Sequence, residues 1–158
     1  MYLKALATSK GTKMQNRRWV SQTSELNDWL VSKGYELVLE TDAEDCVDFN
    51  TKTVYINSRN HSESRYYTLL HECGHILVAQ SSKKFSKEMP MYARSSDGRK
   101  ARSKAYRVST IAEEIEAWKR GRRLSYRMKH FIDEDKFDKQ IAESVMSYID
   151  WASDGGGV

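Results

Sequence analysis

Five consecutive residues, His71-Glu72-Cys73-Gly74-His75, constrain this chain more than anything else in its sequence. Histidines four apart fall nearly in line on a helix that turns about 100° per residue, so both imidazoles can reach one ion from a rigid platform. Glu72 sits about a quarter-turn away, outside the ligand set but close enough to act as general base toward a water in the same cleft. Leu69, Leu70, Cys73, Ile76 and Leu77 occupy the opposite side. The helix must therefore pack on one side and face a cleft on the other. Two histidines and a glutamate are costly to bury without partners, and a metal ion supplies one. Asn60 followed by Glu63 resembles a capping box, so this helix is expected to begin near His61 and to run to about Gln80.

A three-ligand zinc site needs one more protein donor, and a helix expected over residues 109–129 offers Glu113, Glu114 and Glu116. On a helical projection Ile111, Ile115, Ala117, Trp118 and Gly121 define an arc that contains Glu114 and leaves the other two glutamates outside. The expected metal ligands are thus His71, His75 and Glu114, with Zn2+ as cofactor and Glu72 as the catalytic base. Glu113 and Glu116 are expected to be solvated charges favoured by a helix N-terminus. The small residues Ala117 and Gly121 would let the second helix approach the first closely.

The rest of the chain supplies the scaffold. Trp19, Thr23, Leu26, Trp29 and Leu30 recur at helical spacing over residues 16–33, and Gly34 is the expected stop. Residues before Lys13 show little periodicity and are expected as a short strand or a packed arm. Three strands follow at 35–40, 46–49 and 53–57, the last two joined through Asn50-Thr51-Lys52 as a hairpin. A last helix is expected over 134–152, with Phe137, Ile141, Val145, Tyr148 and Ile149 on one face. These elements predict an α+β fold: a small, mostly antiparallel three-stranded sheet packed with about four helices in a minimal zincin-like architecture. At 158 residues the chain suits one domain, residues 1–154, with a basic insertion at 81–108 and a disordered tail at 155–158.

The strands leading into Leu69-Leu70-His71-Glu72-Cys73-Gly74-His75, followed by a later helix with Glu114-Ile115-Glu116-Ala117, resemble the ImmA/IrrE-type metallopeptidases, minimal members of the gluzincin class. The likeness spans about residues 35–125. It implies zinc on His71, His75 and Glu114, catalysis by Glu72, and hydrolysis of peptide bonds in a restricted protein substrate. The other reading is a non-catalytic, zinc-binding regulatory or interaction protein on the same fold, contacting nucleic acid through the insertion. Tyr126, Arg122 and His130 are candidates, by position, for stabilising an oxyanion.

Charge distribution bears on partners. Residues 81–108 hold nine Lys or Arg against Glu88 and Asp97, so this stretch carries +7 and the remainder −3 of the net +4. The basicity belongs to one segment, and residues 83–107 are the expected contact for nucleic acid or an acidic partner. A solvated loop is the plainer alternative. No run is long and apolar enough for a membrane span, and the start lacks a secretory pattern, so a cytoplasmic location without membrane contact is expected. The two cysteines, Cys46 and Cys73, match no zinc-knuckle or redox spacing and are expected to be reduced.

Overall fold

A computed structural model describes residues 2–88 and 103–154, as five helices and three strands. In chain order these are α1 (Tyr2–Ser32), β1 (Glu36–Glu40), β2 (Cys46–Asp48), β3 (Thr53–Asn57), α2 (Ser62–Gln80), α3 (Ser82–Glu88), α4 (Lys104–Arg127) and α5 (Glu134–Ser153). The middle of the basic stretch, 89–102, and the tail expected at 155–158 lie outside the described residues. The chain divides into two compact units, residues 1–70 and 71–158, and the division falls within α2. Among the described residues no helix is long and apolar enough to cross a membrane.

In the first unit, Trp19, Leu26 and Leu30 of α1 are buried, and the Trp19 ring lies 5.6 Å from Tyr66 and 5.5 Å from Tyr67. This seam anchors α1 from residue 19 onward. The helix nevertheless begins at Tyr2, not near residue 16, and forms neither the strand nor the arm expected there. Leu3, Lys4, Ala5, Leu6 and Ala7 are good helix formers without an apolar stripe, and adding turns to an established helix is easier than nucleating one. Gly34 ends α1 as expected. At φ +80 it turns left-handed, donating to Val31 O at 2.9 Å while Tyr35 N donates to Leu30 O at 3.0 Å, which satisfies two terminal carbonyls.

The sheet order is β1-β3-β2. β2 and β3 form the expected antiparallel hairpin, with Val47 opposite Val54, whereas β1 runs parallel to β3, with Val38 opposite Tyr55. The sheet is therefore mixed rather than mostly antiparallel. Alternation in sequence shows which face a residue occupies and not which strand lies beside it. Here the link after β1 carries the chain past the position that β3 later fills. Asp45 Oδ1 accepts from Asn57 N at 2.6 Å, fastening that link to the end of the central strand. Asp48 Oδ1 accepts from Asn50 N (2.8 Å) and Thr51 N (3.2 Å), and this local turn closes the hairpin. Val54 and Ile56 of β3 are fully buried.

The second unit contains the last part of α2 with α3, α4 and α5. Ser103 caps α4 by accepting from Tyr106 N at 3.1 Å, so the helix starts several residues before 109. Asp133 caps α5 by accepting from Lys136 N. Between them Lys129 takes φ +57, and His130 N donates to Ser125 O at 2.9 Å. The chain reverses there, and α5 returns antiparallel along α4. Phe137 packs edge-on against Trp118 at 5.5 Å, Arg122 pairs with Asp138, and Trp118 Nε1 donates to Ser144 Oγ at 3.3 Å.

Candidate metal centre

The site lies within the second unit, where α2 and α4 run in the same direction. Gly74 makes their close approach possible: a Cβ at that position would stand 1.9 Å from the carbonyl oxygen of Ala117. Of the two small residues expected at a close approach, Ala117 makes it, with Gly74 as its partner. One turn before Ala117, α4 turns Glu114 toward the two histidines of α2. His71, Glu72 and Glu114 are each buried.

The two imidazoles meet edge to face, with their Nε2 atoms 3.1 Å apart. Glu114 closes the triangle, its Oε2 lying 3.1 Å from His71 Nε2 and its Oε1 3.4 Å from His75 Nε2. A tetrahedral ion about 2.0 Å from each donor would require edges of about 3.3 Å. The distance between the two nitrogens and the two contacts to the carboxylate, which run to its different oxygens, lie close to that value. Glu114 Oε2 is buried with no hydrogen-bond partner among the described residues. Two convergent imidazole nitrogens, one carboxylate and one buried acceptor without a donor fit a divalent cation. The sequence-expected ligands are the cluster of histidine, cysteine and acidic side chains that could hold a metal among the described residues. Glu72 Oε1 lies 4.0 Å from His71 Nε2, beside the triangle and not part of it.

The charges in this cluster are strongly coupled. Burial holds the His71 imidazolium below its ordinary range, against the pull of Glu114 and with the repulsion of His75. Burial also opposes charge on His75, but Glu113 and Glu114 outweigh it and push His75 up to about 10. For Glu114 burial acts upward, and the two imidazoles overcome it, bringing the carboxyl down to about 2. The cluster thus holds an ionised carboxylate in a buried place, as a metal ligand must be. Cys73, fully buried between the histidines, has its thiol pushed far upward, first by burial and then by Glu72, and is an inert packing residue.

Three contributions were not anticipated. Glu113, expected to be solvated, reaches 3.3 Å from His75 Nδ1 and orients that ring from behind. It lies outside the helical arc that singled out Glu114, and the direction of His75 could not be read from sequence. Trp118 stacks on His71, with centroids 4.3 Å apart and planes 24° apart. Since His71 Nδ1 has no hydrogen-bond partner among the described residues, this ring contact fixes its orientation. Tyr148 follows Ser144 by one turn of α5, as Glu114 precedes Trp118 by one turn of α4, so the antiparallel register sets phenol beside carboxylate. Burial and the nearby Glu114 carboxylate push that phenol well above its ordinary range. The signal was a hydroxyl pair, Ser144 and Tyr148, four apart on an otherwise apolar seam.

The residues considered for an oxyanion go elsewhere. Tyr126 donates to Glu134 Oε1 at 2.6 Å, and Arg122 pairs with Asp138 and Glu134. They follow Glu114 on α4 by about 18 Å and 12 Å at 1.5 Å per residue. His130 is buried just beyond the helix end. Glu116 pairs with Arg120 at 2.7 Å and faces away from the histidines.

A family model described as the IrrE N-terminal-like domain, of the peptidase M78 type, matches residues 34–130, more than half of the chain. No curated protein and no solved structure matches it. The matched span includes all three strands, α2, and α4 to its end.

Proposed function

The chain belongs to the IrrE N-terminal-like family of M78 peptidases, and from that premise we propose that it is a zinc-dependent peptidase of zincin-like architecture, acting on a restricted protein substrate. His71, His75 and Glu114 hold the ion. Zinc, when bound, supplies Lewis acidity at the scissile carbonyl and makes a water acidic near neutral pH. Glu72 takes the proton of the attacking water and returns it to the leaving amine. Its position supports that role, because it borders the triangle without joining it. Glu113 keeps the His75 ring aimed, Trp118 does the same for His71, and Tyr148 steadies Glu114.

The observation that carries this reading is the closed triangle of two Nε2 atoms and one carboxylate, with edges of 3.1, 3.1 and 3.4 Å. About one zinc per chain is the expected content of such a site. Glu72→Gln should keep the metal and abolish cleavage of the substrate, whereas Glu114→Ala should weaken zinc binding. A Glu72→Gln protein with undiminished proteolysis would remove the catalytic reading and leave a zinc-binding regulatory protein.

A further inference from the structure

Beyond the metal centre, the same pair of helices forms a second concavity. A cleft of about 400 Å3 lies between the end of α2, α3 and the second half of α4, lined by Leu77, Ser81, Lys84, Arg120, Arg123 and Arg127 among others. Among the described residues no acidic side chain lines it. Arg120 is committed to the structure: its Nε donates to Glu116 Oε1, and its Nη1 donates to Leu77 O at 2.8 Å and to Ser81 Oγ. It satisfies a terminal carbonyl of α2 and forms a fixed cationic wall. Arg123 and Arg127, four apart on one face of α4, are exposed and engage no acid among the described residues. Two unengaged guanidinium forks beside Lys84 and a fixed arginine favour a multivalent anion, and the fork geometry matches carboxylates in pairs.

We infer that this cleft binds an acidic peptide segment, supplied by the protein substrate. The last clause rests on the peptidase reading; the binding itself does not. Three features favour a peptide over nucleic acid. Among the described residues no aromatic ring lines the cleft to stack on a base. Its cations gather around one concavity of about 400 Å3 rather than along a stripe that could follow a phosphate backbone. Leu77 and the methylene stems of the arginines give it apolar walls that suit the side chains between successive acids. The site also lies downstream of the metal triangle on both parallel helices, Leu77 coming two residues after His75 and Arg120 six after Glu114. The cleft lies on the side of both helices away from the histidines and Glu114, so a bound acidic segment would tether a substrate at a distance from the reacting groups.

The test uses a fluorescein-labelled (Glu-Ala)6 peptide, with anisotropy recorded on the full chain in the Glu72→Gln background so that the probe stays intact. Arg123→Glu/Arg127→Glu should weaken binding by about tenfold or more, as expected for loss of two charge-assisted pairs. Lys13→Glu/Arg17→Glu changes the net charge equally at exposed sites on α1 and should leave binding within about twofold. Arg123→Ala/Arg127→Ala guards against effects of the introduced acids and should also weaken binding. Equal losses from both charge-reversal pairs would reduce the effect to bulk charge and overturn the assignment. A 20-bp DNA duplex that binds more tightly than the peptide, and is released by the same Arg123 and Arg127 changes, would overturn it in favour of nucleic acid. Because the readout is binding, an inactive protein that still passes this test would refute the peptidase reading alone.

Discussion

Substituting Gly74 by alanine probes the contact on which the metal triangle depends. The added Cβ would lie 1.9 Å from Ala117 O, 2.6 Å from its carbonyl carbon and 2.9 Å from its Cα. All three are backbone atoms, so no rotamer change relieves the overlap. Restoring a carbon-to-oxygen separation of about 3.3 Å requires the helices to part by about 1.4 Å. Glu114 is one turn from Ala117 and moves with it, so the edges of 3.1 and 3.4 Å to the histidines open beyond what one tetrahedral ion can span. Overpacking of this kind costs up to about 3 kcal/mol, and alanine recovers about 1 kcal/mol in helix propensity. The net loss of about 2 kcal/mol corresponds to a Tm lower by about 4–8 °C for a chain of this size. Thermal unfolding of the metal-free protein and zinc titration against a chromophoric chelator measure the two effects. A Gly74→Ala protein of equal or greater stability that binds zinc as tightly as the parent would refute the close approach. Ala117→Gly should not rescue it, because the obstructing atoms remain.

Other perturbations address single contacts. Glu113→Ala removes the acceptor behind His75 Nδ1 and should lower zinc affinity by about 10–100-fold, measured by chelator competition; unchanged affinity would deny it an orienting role. Lys129 holds φ +57 where the chain reverses between α4 and α5, so Lys129→Gly should stabilise by about 0.5–1 kcal/mol, seen as a higher urea midpoint with the same slope. Backbone N–H groups of Thr51 and Asn50 hold the Asp48 carboxyl below the usual carboxylate range. A depressed folded-state value means that its stabilisation is present above the unfolded value, about 4, and is lost as pH falls through the folded one. Asp48→Ala should therefore lower Tm at pH 7 and converge on the parent in strong acid; a constant gap across that window would count against the turn.

The metal-bearing helix and its partner carboxylate were legible because helical periodicity fixes azimuth within one element. His71 and His75 share a face by arithmetic, and Glu114 fell among apolar neighbours that had to be buried. Relations between elements were less accessible. Nothing local to Glu36–Glu40 states that it lies parallel to Thr53–Asn57, since strand order is decided by where a later strand inserts. The first turns of α1 carry propensity without amphipathic pattern, so a search for periodicity passes over them. The roles of Glu113 and Tyr148 were not visible for a related reason. Each acts through a long side chain that reaches another helix, and the projection of one helix cannot show where its neighbour's rings point. Sequence placed basic charge in the stretch at 81–108, whereas among the described residues the cleft takes Lys84 from it and its arginines from α4.

That α2 and α4 point the same way imposes a minimum tether. From the Gly74–Ala117 contact, α2 continues six residues to Gln80, while α4 began thirteen residues earlier at Lys104. At 1.5 Å per residue the chain must travel back about 29 Å, which takes at least about nine extended residues. The 23 residues between Gln80 and Lys104 exceed this more than twofold. Shortening there should leave the metal triangle intact while ten or more remain, although cuts that reach α3 would remove Lys84 from the cleft. Below that number the chain could no longer bring Glu114 level with His71.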